Sequence, residues 1–248
     1  MRSQGYMRTE TNHCLYTKRM TDGSLQILIL YVDDMLIAGK DKHNVDALKG
    51  KLSETFDMKD LGDASHILGM RIIRDRNRGL LYLSQQAYVE KVLKRFNMER
   101  GKSSSTPLAP HLKLSKADCP KSDTKKAEMA KIPYASDTKK AEMAKIPHAS
   151  ACGSLMYAMV ATRPDIAYAV GVVSRFMSNP GKKHWEAVKG VLRYLNGTKY
   201  RCICFGKGKL SIVGYIDADY AGDLDKRRST RGYLYTFAGG AISWLSRL

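Results

Sequence analysis

The stretch LQILILYVDDMLIAGKD, residues 25–41, constrains the fold more than any other part of the chain. It is a long apolar run of strand-forming residues, which a fold is expected to bury. Two adjacent aspartates, Asp33 and Asp34, interrupt it. A buried carboxylate costs several kcal/mol unless something compensates it. Upstream, LYTKRM and LQILILYV flank TDGS, and Asp-Gly is a strong hairpin signal. The region therefore reads as strand, acidic corner, strand. Three uses of the acidic pair follow from its chemistry. The aspartates can be turn residues, a paired acid and base, or oxygen ligands for a hard cation such as Mg2+, which is held by one or two carboxylates plus substrate phosphates. The turn reading leaves unexplained why two negative charges sit between such apolar strands. A dication offsets their repulsion directly. In phosphoryl transfer, two metals about 3.5–4 Å apart activate the attacking oxygen and stabilise the leaving one.

The overall charge points the same way. Lys plus Arg outnumber Asp plus Glu by 42 to 24, a formal charge of +18. Such an excess favours a polyanionic partner, most simply nucleic acid. A basic protein without such a partner is the plainer alternative. With 248 residues, 44% of them apolar, the chain can build a core in one large domain or two ordinary ones. Its five cysteines are odd in number, lack zinc-site spacing, and read as reduced thiols of the cytosol or nucleus. No run of 18 apolar residues occurs, so no membrane span is expected. The first twenty residues lack an apolar signal core and look like the middle of a domain.

Further along, Val45, Leu48, Leu52 and Phe56 follow a helical pattern. SHILGMRIIRD and LLYLS bracket RNRG, which predicts a second hairpin. QQAYVEKVLKRFNM reads as a helix, with Tyr88, Val92 and Phe96 on one side and Lys91, Lys94 and Arg95 elsewhere on its circumference. After a breaker-rich loop, SDTKKAEMAKIP occupies 122–133 and recurs at 136–147. The full fourteen-residue units differ only at Tyr134 versus His148, the mark of an in-frame duplication rather than a solenoid. Three helices follow: one marked by Leu155 and Met159; one from RPDIAYAVGVVSRFM, with Pro164 in its first turn and a stripe of Ile166, Val170, Val173 and Met177; and one carrying Trp185, Val188, Leu192 and Leu195. The Met and Tyr residues at 156–159 read as core, and His66, His111 and His184 as surface or satisfied histidines rather than ligands. From residue 200 strands return in RCICFG, LSIVGYIDADY and GYLYTFAGGAISWL. The basic run DKRRSTRG at 225–232 is either a phosphate contact or a solvated turn. The predicted class is α+β.

YVDD at 31–34, within LILYVDDMLIAG, resembles the catalytic hairpin of reverse transcriptases. FDMKDLGDASHILGM, LYLSQQAYVEKVLKRFNM, STPL, GSLMYAMVATRPDIAYAVGVVSRFMSNPGKKHWEAVKGVLRYLNGT and GYIDADYAGDLDKRRSTRGYLYTFAGGAISWLS resemble, in order, the Pol polyprotein of copia-type LTR retrotransposons, above all plant elements of the Tnt kind. The resemblance implies a partial palm and primer-grip region at 1–99, with an antiparallel YVDD hairpin plus helices. It implies a linker with the duplicated unit at 100–149, a helical thumb and connection at 150–199, and the first strands of an RNase H-like domain at 200–248. Asp33 and Asp34 match the metal-binding aspartates of the palm, and Asp217 matches the first metal-binding aspartate of RNase H. Tyr31 matches a residue near the primer or template strand. Nucleic-acid contacts are expected at Tyr31, Lys91, Lys94, Arg95, Lys226, Arg227, Arg228 and Arg231. The implied cofactor is Mg2+ or Mn2+. The implied partners are an RNA template, a DNA primer or RNA–DNA hybrid, deoxynucleotides and the upstream part of Pol, with no membrane. The implied location is cytoplasmic virus-like particles, the nucleus, or both.

Departures from the family pattern shape the expectation further. The third palm aspartate, the YGLKQAPRAW-like segment and the fingers are not among these residues, nor are the glutamate and later aspartates of RNase H. The chain is therefore expected to be truncated at both ends, with each active site holding part of its metal shell, and to be inactive alone. A nucleic-acid-binding remnant without chemistry and a pseudogene product are the alternatives.

Overall fold

The computed structural model describes residues 4–109, 111–122, 124 and 147–248. The expectations for the duplicated segment fall, save at its edges, outside the described residues. The chain forms two compact units, Met1–Ala64 and Ser65–Leu248.

In the first unit, β1 (Met7–Arg8), β2 (Leu15–Arg19), β3 (Leu25–Tyr31) and β4 (Asp34–Ala38) form an antiparallel sheet in that order. The TDGS hairpin is present, with Arg19 opposite Leu25. Gly23 takes φ 79°, and the Ser24 N–H and hydroxyl both donate to Asp22 Oδ1, at 3.0 and 2.6 Å. Helix α1 (Lys42–Thr55) starts at Asp41, whose carboxylate accepts the His43 N–H at 2.9 Å. Its Leu48 and Leu52 bury against Leu28 and Tyr6. Phe56, the last member of the predicted stripe, lies past the helix end in extended backbone and is exposed. Gln26 is a buried polar residue inside the apolar run. It accepts the Tyr6 hydroxyl at 2.7 Å and donates to the Asn44 carbonyl at 3.2 Å, which ties β3 to α1.

The expectation that the whole run is buried is corrected here. Within β3 only Gln26 and Leu28 are fully buried, and the acidic corner is exposed. Successive strand residues face opposite sides of a sheet, and α1 is the helix that packs against this one among the described residues. A four-residue core covers one face near its middle and leaves the strand ends in water.

In the second unit, β5 (His66–Ile67), β6 (Met70–Asp75), β7 (Leu80–Ser84) and β8 (Ile203–Phe205) form one antiparallel sheet. A second sheet has the order β11 (Gly240–Arg247), β10 (Arg231–Phe237), β9 (Ile212–Ala218). Between them in sequence come α2 (Gln86–Arg95), α3 (Pro147–Ala161), α4 (Ala167–Ser174) and α5 (Lys182–Gly197), with a 3-10 turn at Pro164–Ile166 leading into α4. The predicted hairpin over RNRG is present: Asp75 pairs with Leu80, Gly79 takes φ 63°, and Asp75 Oδ1 accepts the Arg78 N–H at 3.0 Å.

The helices carry the main core. Val89, Val92, Leu93 and Phe96 of the α2 region meet Cys152 and Leu155 of α3, Ile166, Val170 and Val173, and Trp185, Val188, Leu192 and Leu195 of α5. Met156 and Met159 pack against this core, whereas Tyr157 is exposed and donates to the Leu68 carbonyl. His184 is fully buried and satisfied: Nδ1 accepts the Gly181 N–H at 2.8 Å and Nε2 faces the Ser115 carbonyl at 3.2 Å. β8 returns to pair with β7, joining residues 81–83 and 203–205 within this unit.

Candidate active site

The acidic corner is a two-residue turn. Tyr31 pairs with Asp34 across the hairpin, and Val32 and Asp33 close it. Such a turn favours positive φ at its first central position, usually met by Gly or Asn. Here Val32 takes φ 52°. A β-branched residue in that region carries strain of about 1–3 kcal/mol, and Val32 is also 88% exposed. Tyr31, Asp33 and Asp34 are exposed beside it. Tyr31 and Asp34, as a cross-strand pair, share one face of the sheet. The hairpin thus presents a ring and two carboxylates to solvent, on a strained turn anchored by the Gln26 and Leu28 core. The absence of Gly and Asn from YVDD was the sequence signal for that strain.

The other predicted site residues lie in the second unit. Lys91, Lys94 and Arg95 are exposed on α2, the last two in its final turn, where cations suit the helix dipole. Lys226, Arg227 and Arg228 are exposed in the β9–β10 connection, and Arg231 opens β10. Asp217 is exposed on β9 opposite Gly232, and its carboxylate accepts the Ala218 N–H at 2.9 Å. So Tyr31, Asp33 and Asp34 are brought together on one tip, and the remaining residues fall into three separate places on the second unit.

The tip lies in the part of the chain that matches a known family model. Residues 1–110 match the family model described as reverse transcriptase (RNA-dependent DNA polymerase). The whole chain is 58% identical to a retrovirus-related Pol polyprotein from transposon TNT 1-94 of Nicotiana tabacum, of which it covers 18%. It is 37% identical, over 90% of its length, to the Pol polyprotein from transposon RE1 of Arabidopsis thaliana, of which it covers 14%. It is 32% identical, over 98% of its length, to a putative transposon Ty5-1 protein of Saccharomyces cerevisiae, of which it covers 72%. The chain belongs to the copia-type retrotransposon Pol family. It spans less than a fifth of the two plant polyproteins. No solved structure matches it significantly.

Within this Pol segment, the fit of a divalent metal can be tested on the donors present. Among the described residues no group of three or more His, Cys, Asp or Glu side chains could hold a metal ion. Asp33 and Asp34 are two exposed carboxylates with no hydrogen bond or ion pair to the described residues. Two such carboxylates fit a hard cation that takes its other ligands from water and substrate phosphates.

The Pol segment also holds carboxylates outside the predicted site residues. Asp223 is buried; Oδ1 pairs with Arg175 Nη1 at 3.1 Å and Oδ2 accepts the Lys226 N–H at 2.8 Å. Asp225 accepts the Lys116 N–H with both oxygens, at 2.9 and 3.0 Å. Asp219 accepts the Thr230 N–H at 2.7 Å. These three organise the loop that carries Lys226, Arg227 and Arg228. A further network surrounds Arg163, which is 2% exposed. Its guanidinium grips both oxygens of Asp165, at 2.9 and 2.8 Å, and reaches Thr198 Oγ1 at 2.6 Å. The Tyr194 hydroxyl donates to Asp165 Oδ2 at 2.7 Å. Burial alone pushes the Asp165 carboxyl up, but Arg163 and Tyr194 outweigh it and hold it below the usual range. The RPD string, a charge pair astride a helix-starting proline, was the available signal.

Proposed function

We propose that this chain is the part of a retrotransposon reverse transcriptase that carries the acidic hairpin of the palm, followed by primer-grip, thumb and connection elements and the first strands of an RNase H domain. The observation that carries the reading is the two-residue YVDD turn with Asp33 and Asp34 exposed at its tip. The +18 charge supports an RNA template, a DNA primer and their hybrid as partners.

Asp33 and Asp34 would hold Mg2+ or Mn2+ together with the phosphates of an incoming deoxynucleotide. That metal, when bound, supplies charge stabilisation for nucleotidyl transfer. The chain's own residues do the positioning. The Gln26 and Leu28 anchor fixes the hairpin, the strained turn at Val32 sets the direction of Asp33, and Tyr31 offers a ring beside Asp34 on the face where a primer end would lie. Lys91, Lys94 and Arg95 on α2, and Lys226, Arg227, Arg228 and Arg231 at the β9–β10 connection, would bind phosphates. Asp217 on β9 would be the first carboxylate of the RNase H centre. Cytoplasmic virus-like particles, the nucleus, or both are the proposed location.

The absence of a third ligand among the described residues favours a second reading for the segment alone: it holds nucleic acid without chemistry. Primer extension separates the two. A longer Pol segment that includes residues upstream of this chain should extend a primer on an RNA template with Mg2+, and Asp33→Asn should abolish that activity. Extension by residues 1–248 alone that survives Asp33→Asn would overturn the assignment of the tip.

A further inference from the structure

A pocket of about 360 Å3 opens in the second unit between the α3–α4 connection, the residues entering β8 and the start of β11. It lies at the opposite end of β11 from the last residues of the chain. Its charged lining residues are Arg163, Asp165, Arg201 and Lys207, three cations against one carboxylate. That carboxylate is already taken. Asp165 grips Arg163 with both oxygens and accepts the Tyr194 hydroxyl. Arg201 Nη1 stands 3.8 Å from Asp165 Oδ2, beyond hydrogen-bond reach, and donates to the Tyr194 hydroxyl at 2.9 Å instead. Both guanidiniums sit over the Tyr194 ring, 5.6 and 5.9 Å from its centroid. Lys207 has no carboxylate partner among the described residues.

The backbone fixes where these cations stand. Gly239 takes φ 81°, and a Cβ there would collide with the Lys207 carbonyl oxygen. A Cβ on Gly240 would collide with the Phe205 ring. Without those side chains the start of β11 lies against the turn at 205–207, so the backbone of Lys207 is held while its side chain stays exposed. Arg163 forms the floor and is 2% exposed. Four of the five guanidinium N–H groups go to Asp165 and Thr198, and one at Nη1 has no acceptor among the described residues.

We propose that this pocket binds a phosphate group with a free end, as in inorganic phosphate or a small phosphomonoester, held by Arg201 and Lys207 over Arg163. Charge chooses among the anions. A phosphomonoester carries about −1.5 to −2 at pH 7 and offers three strong acceptor oxygens, which matches the excess of two positive charges. Planar guanidinium groups suit such oxygens. A carboxylate brings one charge. A phosphodiester also brings one and continues in both directions, whereas Pro164 and the Gly239–Gly240 backbone wall the pocket. The site shares no residue with the acidic tip or with the basic residues read as nucleic-acid contacts, and it does not rest on the polymerase reading.

The test is isothermal titration calorimetry of the 248-residue chain with inorganic phosphate and with glycerol 3-phosphate, at constant ionic strength. Binding should saturate at one equivalent. Arg201→Ala and Lys207→Ala should each weaken it about tenfold, the scale of one hydrogen bond to a charged group. Both side chains are exposed, so the variants should keep the fold. A second readout needs no variant: phosphate should protect Lys207 of the unaltered chain from acetylation, read by peptide mass spectrometry. An oligothymidylate with hydroxyl ends carries only diesters and should protect it far less. No saturable binding, parental affinity in the Arg201→Ala, Lys207→Ala double variant, acetylation of Lys207 unchanged by phosphate, or equal protection by the oligothymidylate would each overturn the proposal.

Discussion

The acidic corner at Asp33–Asp34 and the acid-rich stretch DADYAGDLD at 217–225 look alike as sequence and are used differently by the fold. At the corner, both carboxylates face solvent and no described residue engages them. In the second stretch, Asp219, Asp223 and Asp225 are taken up by backbone N–H groups and Arg175, and they hold the loop that presents Lys226, Arg227 and Arg228 outward. The difference follows from what stands nearby. The corner is a two-residue turn at the open end of a sheet with a small core. The second stretch finds its donors in its own loop, in Arg175 at the end of α4 and in the Lys116 N–H. Carboxylates left free can take a cation and a substrate; carboxylates already bonded act as scaffolding.

The largest expected effect tests the first half of that contrast. In a longer active Pol segment, Asp33→Asn and Asp34→Asn should each lower primer extension by roughly 10^2–10^3-fold or more, the scale of losing a group that stabilises transition-state charge. Both side chains are exposed, so thermal stability should move by less than about 0.5 kcal/mol. A large stability loss in the same variants would show that the carboxylates are structural after all.

The next effect concerns pH. His148 stands where the two copies of the duplicated unit differ, and it is buried in the second unit with its Nε2 unpartnered among the described residues. Its Nδ1 faces the Cys152 thiol at 3.6 Å. Burial, then the charge of His184, push its pKa down from 6.5 to about 4. Below pH 6.5 the unfolded chain takes up a proton that the folded chain refuses. Stability should therefore fall as pH drops from 6.5 toward 4, by on the order of 3 kcal/mol. His148→Phe should flatten that limb in pH-dependent thermal denaturation, and an unchanged limb would refute the assignment.

Asp223→Ala sharpens the second half of the contrast. It leaves Arg175 and the Lys226 N–H without their acceptor and should destabilise the second unit by about 1–3 kcal/mol, seen in denaturant unfolding. It should also weaken phosphate binding by the loop, with no effect expected from Asp217→Asn on stability. The smallest effect is at the turn. Val32→Gly should relieve strain and raise the stability of the first unit by about 1 kcal/mol, measured by hydrogen exchange of β3 and β4. A loss would show that the φ of 52° carries no strain.

Local pattern made most elements legible. The TDGS and RNRG hairpins, the helix containing Leu48 and Leu52, and the stripe of Trp185, Val188, Leu192 and Leu195 all stand where periodicity and turn chemistry put them. These signals involve residues within a turn or two of each other. Phe56 was misassigned because a stripe does not say where a helix ends, and Tyr157 because helical spacing does not say which face meets a neighbour.

The sequence by itself determined that YVDD is a corner between strands, that the chain is basic, and that it belongs with retrotransposon Pol proteins. Tertiary structure alone decided which carboxylates are free. It bonded Asp223 to Arg175, 48 residues away, and Asp225 to Lys116, 109 residues away. It returned residues 203–205 to pair with residues 81–83. Such partners are set by where distant elements meet in space, and an aspartate carries the same charge in the chain whether its lone pairs end in water or on a backbone N–H.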